Sequence, residues 1–115
     1  MIPEQDYVIL FTRNGMGDAP AALQSALVTK FFALLLESGR LPAKILFYTE
    51  GVRLACSESP VLEPMHMLES QGVELILCKT CLDFYSLTDQ VQVGIVGGMP
   101  DILEALQEAP KVLSL

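Results

Sequence analysis

Two thiols, Cys78 and Cys81, stand in a C-x-x-C spacing inside "VELILCKTCLDFY" (73–85), where an apolar run stops at the first sulfur. A third thiol, Cys56, and the sole histidine, His66, complete the residues able to ligate a metal softly or act as nucleophile and base. The C-x-x-C spacing admits four kinds of chemistry: packing, a metal half-site, a redox pair, or one nucleophilic sulfur with a neighbour. If Cys78 ends a strand and Cys81 lies in the first turn of a helix, unpaired N–H groups and the positive dipole end favour a thiolate. Lys79 adds a positive charge close by. An isolated cysteine packs readily as a small apolar residue. Two in this spacing at a strand–helix junction favour function over packing; the alternatives are a non-catalytic oligomeric binding or assembly subunit with a small-ligand or anion pocket and inert cysteines, and a C-x-x-C thiol–disulfide redox protein.

A thioredoxin-type role lacks its usual aromatic and proline neighbours, and the motif follows the third strand instead of the first. Zinc would need four ligands, and Cys56, Cys78, Cys81 and His66 make up the number. There is no second C-x-x-C or H-x-H pair, however, and Cys56 leaves a different strand, so no metal and no cofactor are expected. His66 sits at the border of an apolar helix face, which reads as a structural or surface position, and a Cys–His dyad would require it to point at the cysteines. In "RNGMGDAP", Asn14, Gly15, Met16 and Gly17 can form a nest of backbone N–H groups for an anion. That loop lacks the G-x-G-x-x-G or P-loop spacing and equally suits a tight turn bordering the sulfur site. Gly97, Gly98 and Met99 in "GGMPD" read the same way, with Pro100 opening a helix. The acidic residues Glu63, Glu69, Glu104 and Glu108 suit solvated helix faces.

Five β-type runs are expected to position these residues: 7–11, 43–49, 73–78, 91–96 and 111–115. They are almost continuously apolar, as in strands buried on both faces. A helix over 20–38 places Leu23, Leu27, Phe31, Leu34 and Leu35 on one stripe, widened by Val28 and Phe32, and Gly39 stops it. A second helix begins after Ser59 as N-cap, with Pro60 in its first turn, carries Val61, Met65 and Leu68 inward, and ends at Gly72. A short helix follows Cys78, and 101–108 makes the last, ended by Pro110. Alternating strands and helices predict an α/β fold: a three-layer α/β/α sandwich on a five-stranded, mainly parallel sheet with right-handed crossovers. Ligands of such sheets gather beyond the carboxyl ends of the strands. The connections "TRNGMGDAP", "EGVRLACSES", "CKTC" and "GGMP" meet there, and with them all three cysteines.

The 115 residues form one domain over 1–115, with 51% hydrophobic and 18% charged residues. That apolar share implies helices on both sheet faces or a surface kept dry by a partner subunit. The wide apolar stripe of the first helix points to self-association. A net charge of −7 with no Lys/Arg cluster argues against nucleic acid and anionic membranes. The amino terminus shows no basic, apolar leader, and "FFALLLESG" falls short of the roughly 20 apolar residues of a membrane span. A cytoplasmic location follows, where thiols stay reduced.

The run from "NGMGD" through "KFFALLLESGRLPAKILFYTEGVRLACSESP" and "GVELILCKTCLDFYSL" to "VGIVGGMPDILEAL" and "KVLSL" resembles the DsrE-like sulfur-relay proteins. It is most similar to the carboxyl-terminal DsrE-like domain of the YedF type, the sulfurtransferase-like selenium metabolism proteins. The resemblance implies a five-stranded α/β/α sandwich that assembles as a trimer, hexamer or related oligomer. It also implies that Cys78 carries sulfur (or selenium) as a persulfide, exchanged with a donor or acceptor protein, and that Cys81 is the second cysteine of the YedF-type motif. At 97–99 the chain has "GGM" where a more polar pair is common in that type, and these 115 residues are not expected to include that type's small amino-terminal domain.

Overall fold

The computed structural model describes residues 6–115; residues 1–5, part of the segment read above for a leader, lie outside the described residues. Five strands, β1 (Tyr7–Phe11), β2 (Lys44–Phe47), β3 (Glu74–Cys78), β4 (Ile95–Gly97) and β5 (Lys111–Ser114), form one sheet in the order β4-β3-β2-β1-β5. Every pairing is parallel. Four α-helices connect them: α1 (Ala21–Ser38), α2 (Leu62–Ser70), α3 (Lys79–Phe84) and α4 (Met99–Glu108).

Right-handed crossovers place α1 and α2 on one face of the sheet. The helix α4, which carries the chain from one sheet edge to the other, lies on the opposite face. The expected sandwich is therefore present, with its core in β1, β2 and β3. On the α1 side, Phe11 stacks on Phe32 at 5.5 Å and on Phe47 at 5.9 Å. Burying each such ring removes 150–250 Å² from water and dominates local stability. On the opposite side α4 turns Ile102 and Ala105 inward and leaves Leu103 exposed.

Several expectations are corrected. The stripe of α1 splits: Val28, Phe32 and Leu35 are buried, whereas Leu23, Leu27 and Leu34 are 49%, 40% and 62% exposed. This helix is apolar nearly all round, so spacing alone does not say which side meets the sheet. By length and a mean hydropathy of 1.3 it also qualifies as a membrane span. Its place as the β1–β2 crossover, with Phe32 on Phe11, is that of a helix packed on a sheet.

The fourth strand is shorter than expected and begins at Ile95, with Val91 making only an isolated antiparallel bridge to Cys56. Gly94 accounts for the delay. It adopts φ +86, and a Cβ there would lie 2.6 Å from Leu77 Cδ1, so the chain turns sharply beside β3 before joining it. Both edge strands are largely exposed and only the inner three fit the doubly buried pattern. The second strand ends at Phe47, because Thr49–Ala55 coils into a 3-10 helix. Ser59 does not cap α2 directly: Val61 is the N-cap residue, and Ser59 Oγ accepts its N–H at 3.2 Å. Pro60 accordingly lies before the helix. The last helix starts at Met99, with Gly98 as its N-cap.

Candidate functional site

Parallel register brings the ends of β1, β2, β3 and β4 to one edge. Phe11 aligns with Phe47, Phe47 with Leu77, and Cys78 with Gly97. Cys78 is the last residue of β3 and the N-cap of α3, and Cys81 follows within that helix's first turn. The strand–helix junction inferred from the spacing is thus present. The two thiols are neighbours, close enough for Cys78 to raise the Cys81 thiol. They differ in access: Cys78 is 1% exposed, whereas Cys81 is only partly buried.

The electrostatic support for sulfur comes from an unexpected element. With six residues, α3 is too short to carry much of a dipole. The Lys79 ammonium is committed to Asp83 at 2.7 Å. The donor that reaches sulfur is the backbone N–H of Thr49, 3.0 Å from Cys81 Sγ. Burial pushes the Cys81 thiol above its ordinary range, the Thr49 N–H pulls it back, and the neighbouring Cys78 raises it again.

Thr49 is held in the left-handed region at φ +49, a rare conformation for a β-branched residue. Its hydroxyl donates to Thr12 O at 2.6 Å and lies 2.7 Å from Tyr48 O, which fixes the strained turn to the end of β1. One residue pair further on, Gly51 approaches β1 so closely that a Cβ would lie 2.1 Å from Phe11 O. Glycine is required there. The same 3-10 helix supplies Glu50 and Arg53, ion-paired at 2.5 Å. The Arg53 guanidinium lies 4.8 Å from the centre of the Tyr85 ring. Desolvation, and then the nearby Glu50 carboxylate, push the Tyr85 phenol up, partly offset by Arg53.

Thr49, Glu50, Arg53 and Tyr85 were not singled out from the sequence. The connection "EGVRLACSES" was placed at the correct edge, but nothing in its composition shows which residues turn toward the thiols.

Cys56 stands apart from the pair. Its Sγ donates to Val52 O at 3.3 Å, and burial pushes its thiol up, partly offset by Arg53. It lines a cleft of about 340 Å³ with Asn14, Arg53, Ser57, Ser59 and Gln90. His66 is exposed on α2, with Nδ1 3.9 Å from Glu69 Oε1. Among the described residues, no group of three or more His, Cys, Asp or Glu side chains is gathered to hold a metal ion.

The glycine loops are at the expected edge, but two of their amides are engaged. Met16 N–H bonds Gln24 O at 3.2 Å, and Gln24 Nε2 donates to Gly17 O at 2.7 Å. This clamps the Asn14–Gly17 turn to α1, and only glycine fits at Gly15, where a Cβ would sit 2.5 Å from Gln24 Cβ. Gly98 N–H is held by the Asp101 carboxylate at 2.9 Å, so this helix start already has a negative partner. Gly97 lies beside Cys78, and Met99 is half-exposed.

These features define a parallel α/β domain with paired, unequally exposed thiols at the carboxyl edge of its sheet. The chain belongs to the DsrE/DsrF-like family, whose model matches residues 5–115. Among solved structures it is similar to the ychN protein of E. coli, with a TM-score of 0.71 and 21% identity over 96% of this chain and 99% of that one. The protein MTH1491 of Methanobacterium thermoautotrophicum gives a TM-score of 0.67 at 17% identity, over 95% and 97% of the two chains. BT1422 of Bacteroides thetaiotaomicron gives 0.66 at 14%, over 96% and 95%. At these identities the likeness is one of fold. No curated protein sequence matches the chain significantly.

Proposed function

We propose that this protein is a sulfur carrier that accepts sulfane sulfur, or its selenium analogue, as a persulfide on the Cys78–Cys81 pair. The observation that carries this reading is the pair itself: two free thiols three residues apart at the sheet edge where α/β proteins bind ligands, one with a backbone N–H aimed at its sulfur. Family membership supports it, and the resemblance assigns the stored persulfide to Cys78. Free cysteines fit a reducing, cytoplasmic setting.

Incubation with a persulfide donor, followed by alkylation and intact-mass analysis, tests the reading. The wild-type chain should gain one sulfur atom, Cys56→Ser should do likewise, and the double variant Cys78→Ser/Cys81→Ser should gain none. Retention of the added sulfur by the double variant would refute the assignment.

The uncovered side of α1 favours a homo-oligomer, with a trimer or hexamer as the expected size. Leu23, Leu27 and Leu34 are apolar and exposed on a helix whose other side is already packed. A separate sulfur-donor or acceptor protein would meet the carboxyl edge.

A further inference from the structure

On the sulfur-carrier reading, we propose that the two thiols act in series: Cys81 is the port through which sulfur enters and leaves, and Cys78 is the interior store. Access and hydrogen bonding both point this way. Cys78 is 1% exposed and lies in the sheet, with β4 alongside it at Gly97. A donor's persulfide cannot align with a sulfur so enclosed. Cys81 is partly exposed, and its Sγ alone receives the Thr49 N–H. That donor is built in, because Thr49 is held at φ +49 by its hydroxyl on Thr12 O.

The chemistry balances without oxidant or reductant. The Cys81 thiolate attacks the outer sulfur of a donor R–S–SH, the donor S–S bond breaks, and R–S⁻ departs with the electron pair. Cys81 now carries S–SH. The Cys78 thiolate, one helical turn from its neighbour, attacks that same outer sulfur. The bond to Cys81 breaks and its electron pair returns to Cys81 Sγ, where the Thr49 N–H stabilises the thiolate as it does during attack. The proton lost by Cys78 ends on Cys81. Enclosure at Cys78 then shields the persulfide from bulk thiols, and delivery to an acceptor runs back through Cys81. Thr49 is a positioning residue in this scheme.

Full-length wild type, Cys81→Ser, Cys78→Ser and Cys78→Ala should be loaded with glutathione persulfide, quenched by alkylation at intervals and mapped by peptide mass. Cys78→Ala guards against misfolding of the variant that buries a hydroxyl. The wild type should finish with sulfur on Cys78. Cys81→Ser should load about ten-fold more slowly or worse, since exchange depends on access to the attacking thiol. Both Cys78 variants should carry sulfur on Cys81 and lose it to cyanide about ten-fold faster than the wild type, for the same reason. Loading of Cys81→Ser at the wild-type rate, no loading of either Cys78 variant, or a Cys78–Cys81 disulfide with sulfide released would each overturn the serial order. A wild type that takes no sulfur from the donor would overturn the carrier reading itself.

Discussion

Cys78 and Cys81 are three residues apart, yet their surroundings differ enough to separate their tasks. The burial that partly covers Cys81 also has a pH signature. Folded Cys81 and Cys56 hold their protons more tightly than an ordinary thiol does, chiefly through desolvation. Their contribution to stability is therefore complete below the unfolded thiol pKa of roughly 8.5 and is lost as pH rises through the higher folded values. Thermal melts across that range should show the wild type losing stability faster than a Cys56→Ser/Cys81→Ser variant, and parallel curves would contradict the expected shifts. Asp83 has the opposite sign: hydrogen bonds from Lys79 and then Thr88 hold its carboxyl below the usual range. Its support is present above the unfolded carboxylate pKa and fades as pH falls through the lower folded one. A melt series in acid should show Asp83→Asn converging on the wild type as pH falls.

At the scale of elements, the 3-10 helix Thr49–Ala55 decides the site. It brings Thr49 to Cys81 and Arg53 to Tyr85, and it rests on β1 through Gly51. Because the atom beneath Gly51 is a backbone oxygen, Gly51→Ala should destabilise by about 3 kcal/mol or more, read by urea denaturation. Phe32→Ala, which empties the Phe11–Phe32–Phe47 stack, should cost about 3–5 kcal/mol in the same assay. The strands and helices were legible from the sequence because each inner strand is apolar on both faces and each long helix carries a glycine or proline boundary. The C-x-x-C was legible because its spacing and its place after the third strand are local facts. Three things were not. Thr49 belongs to the site through a contact across 32 residues, and its left-handed backbone has no compositional mark. The late start of β4 depends on Gly94 pressing against Leu77, a contact between strands. The packed side of α1 was hidden because both of its sides are apolar.

Over the whole molecule, the unpaired side of α1 is one apolar surface that a lone chain leaves exposed. If Leu27 and Leu34 lie in a contact between copies, Leu27→Glu and Leu34→Glu should shrink the assembly toward the monomer in light scattering at micromolar concentration. Their circular dichroism should stay that of the wild type, since neither side chain packs in the core. A wild type that is already monomeric under those conditions would remove self-association from the account.

The order β4-β3-β2-β1-β5 also bears on how the chain is made. The second strand pairs with β1 as soon as α1 has emerged, but β1's other edge waits for β5, in a register that joins Tyr7 to Lys111. Pairings so distant in sequence form slowly, and a bare strand edge is a template for the wrong partner. On the ribosome, β1, an inner strand of this sheet, would therefore remain open on one side until nearly the whole segment had left the exit tunnel. Nascent chains arrested before residue 111 should be captured by chaperones and digested by protease, and an extension past residue 115 long enough to carry β5 clear of the tunnel should restore resistance.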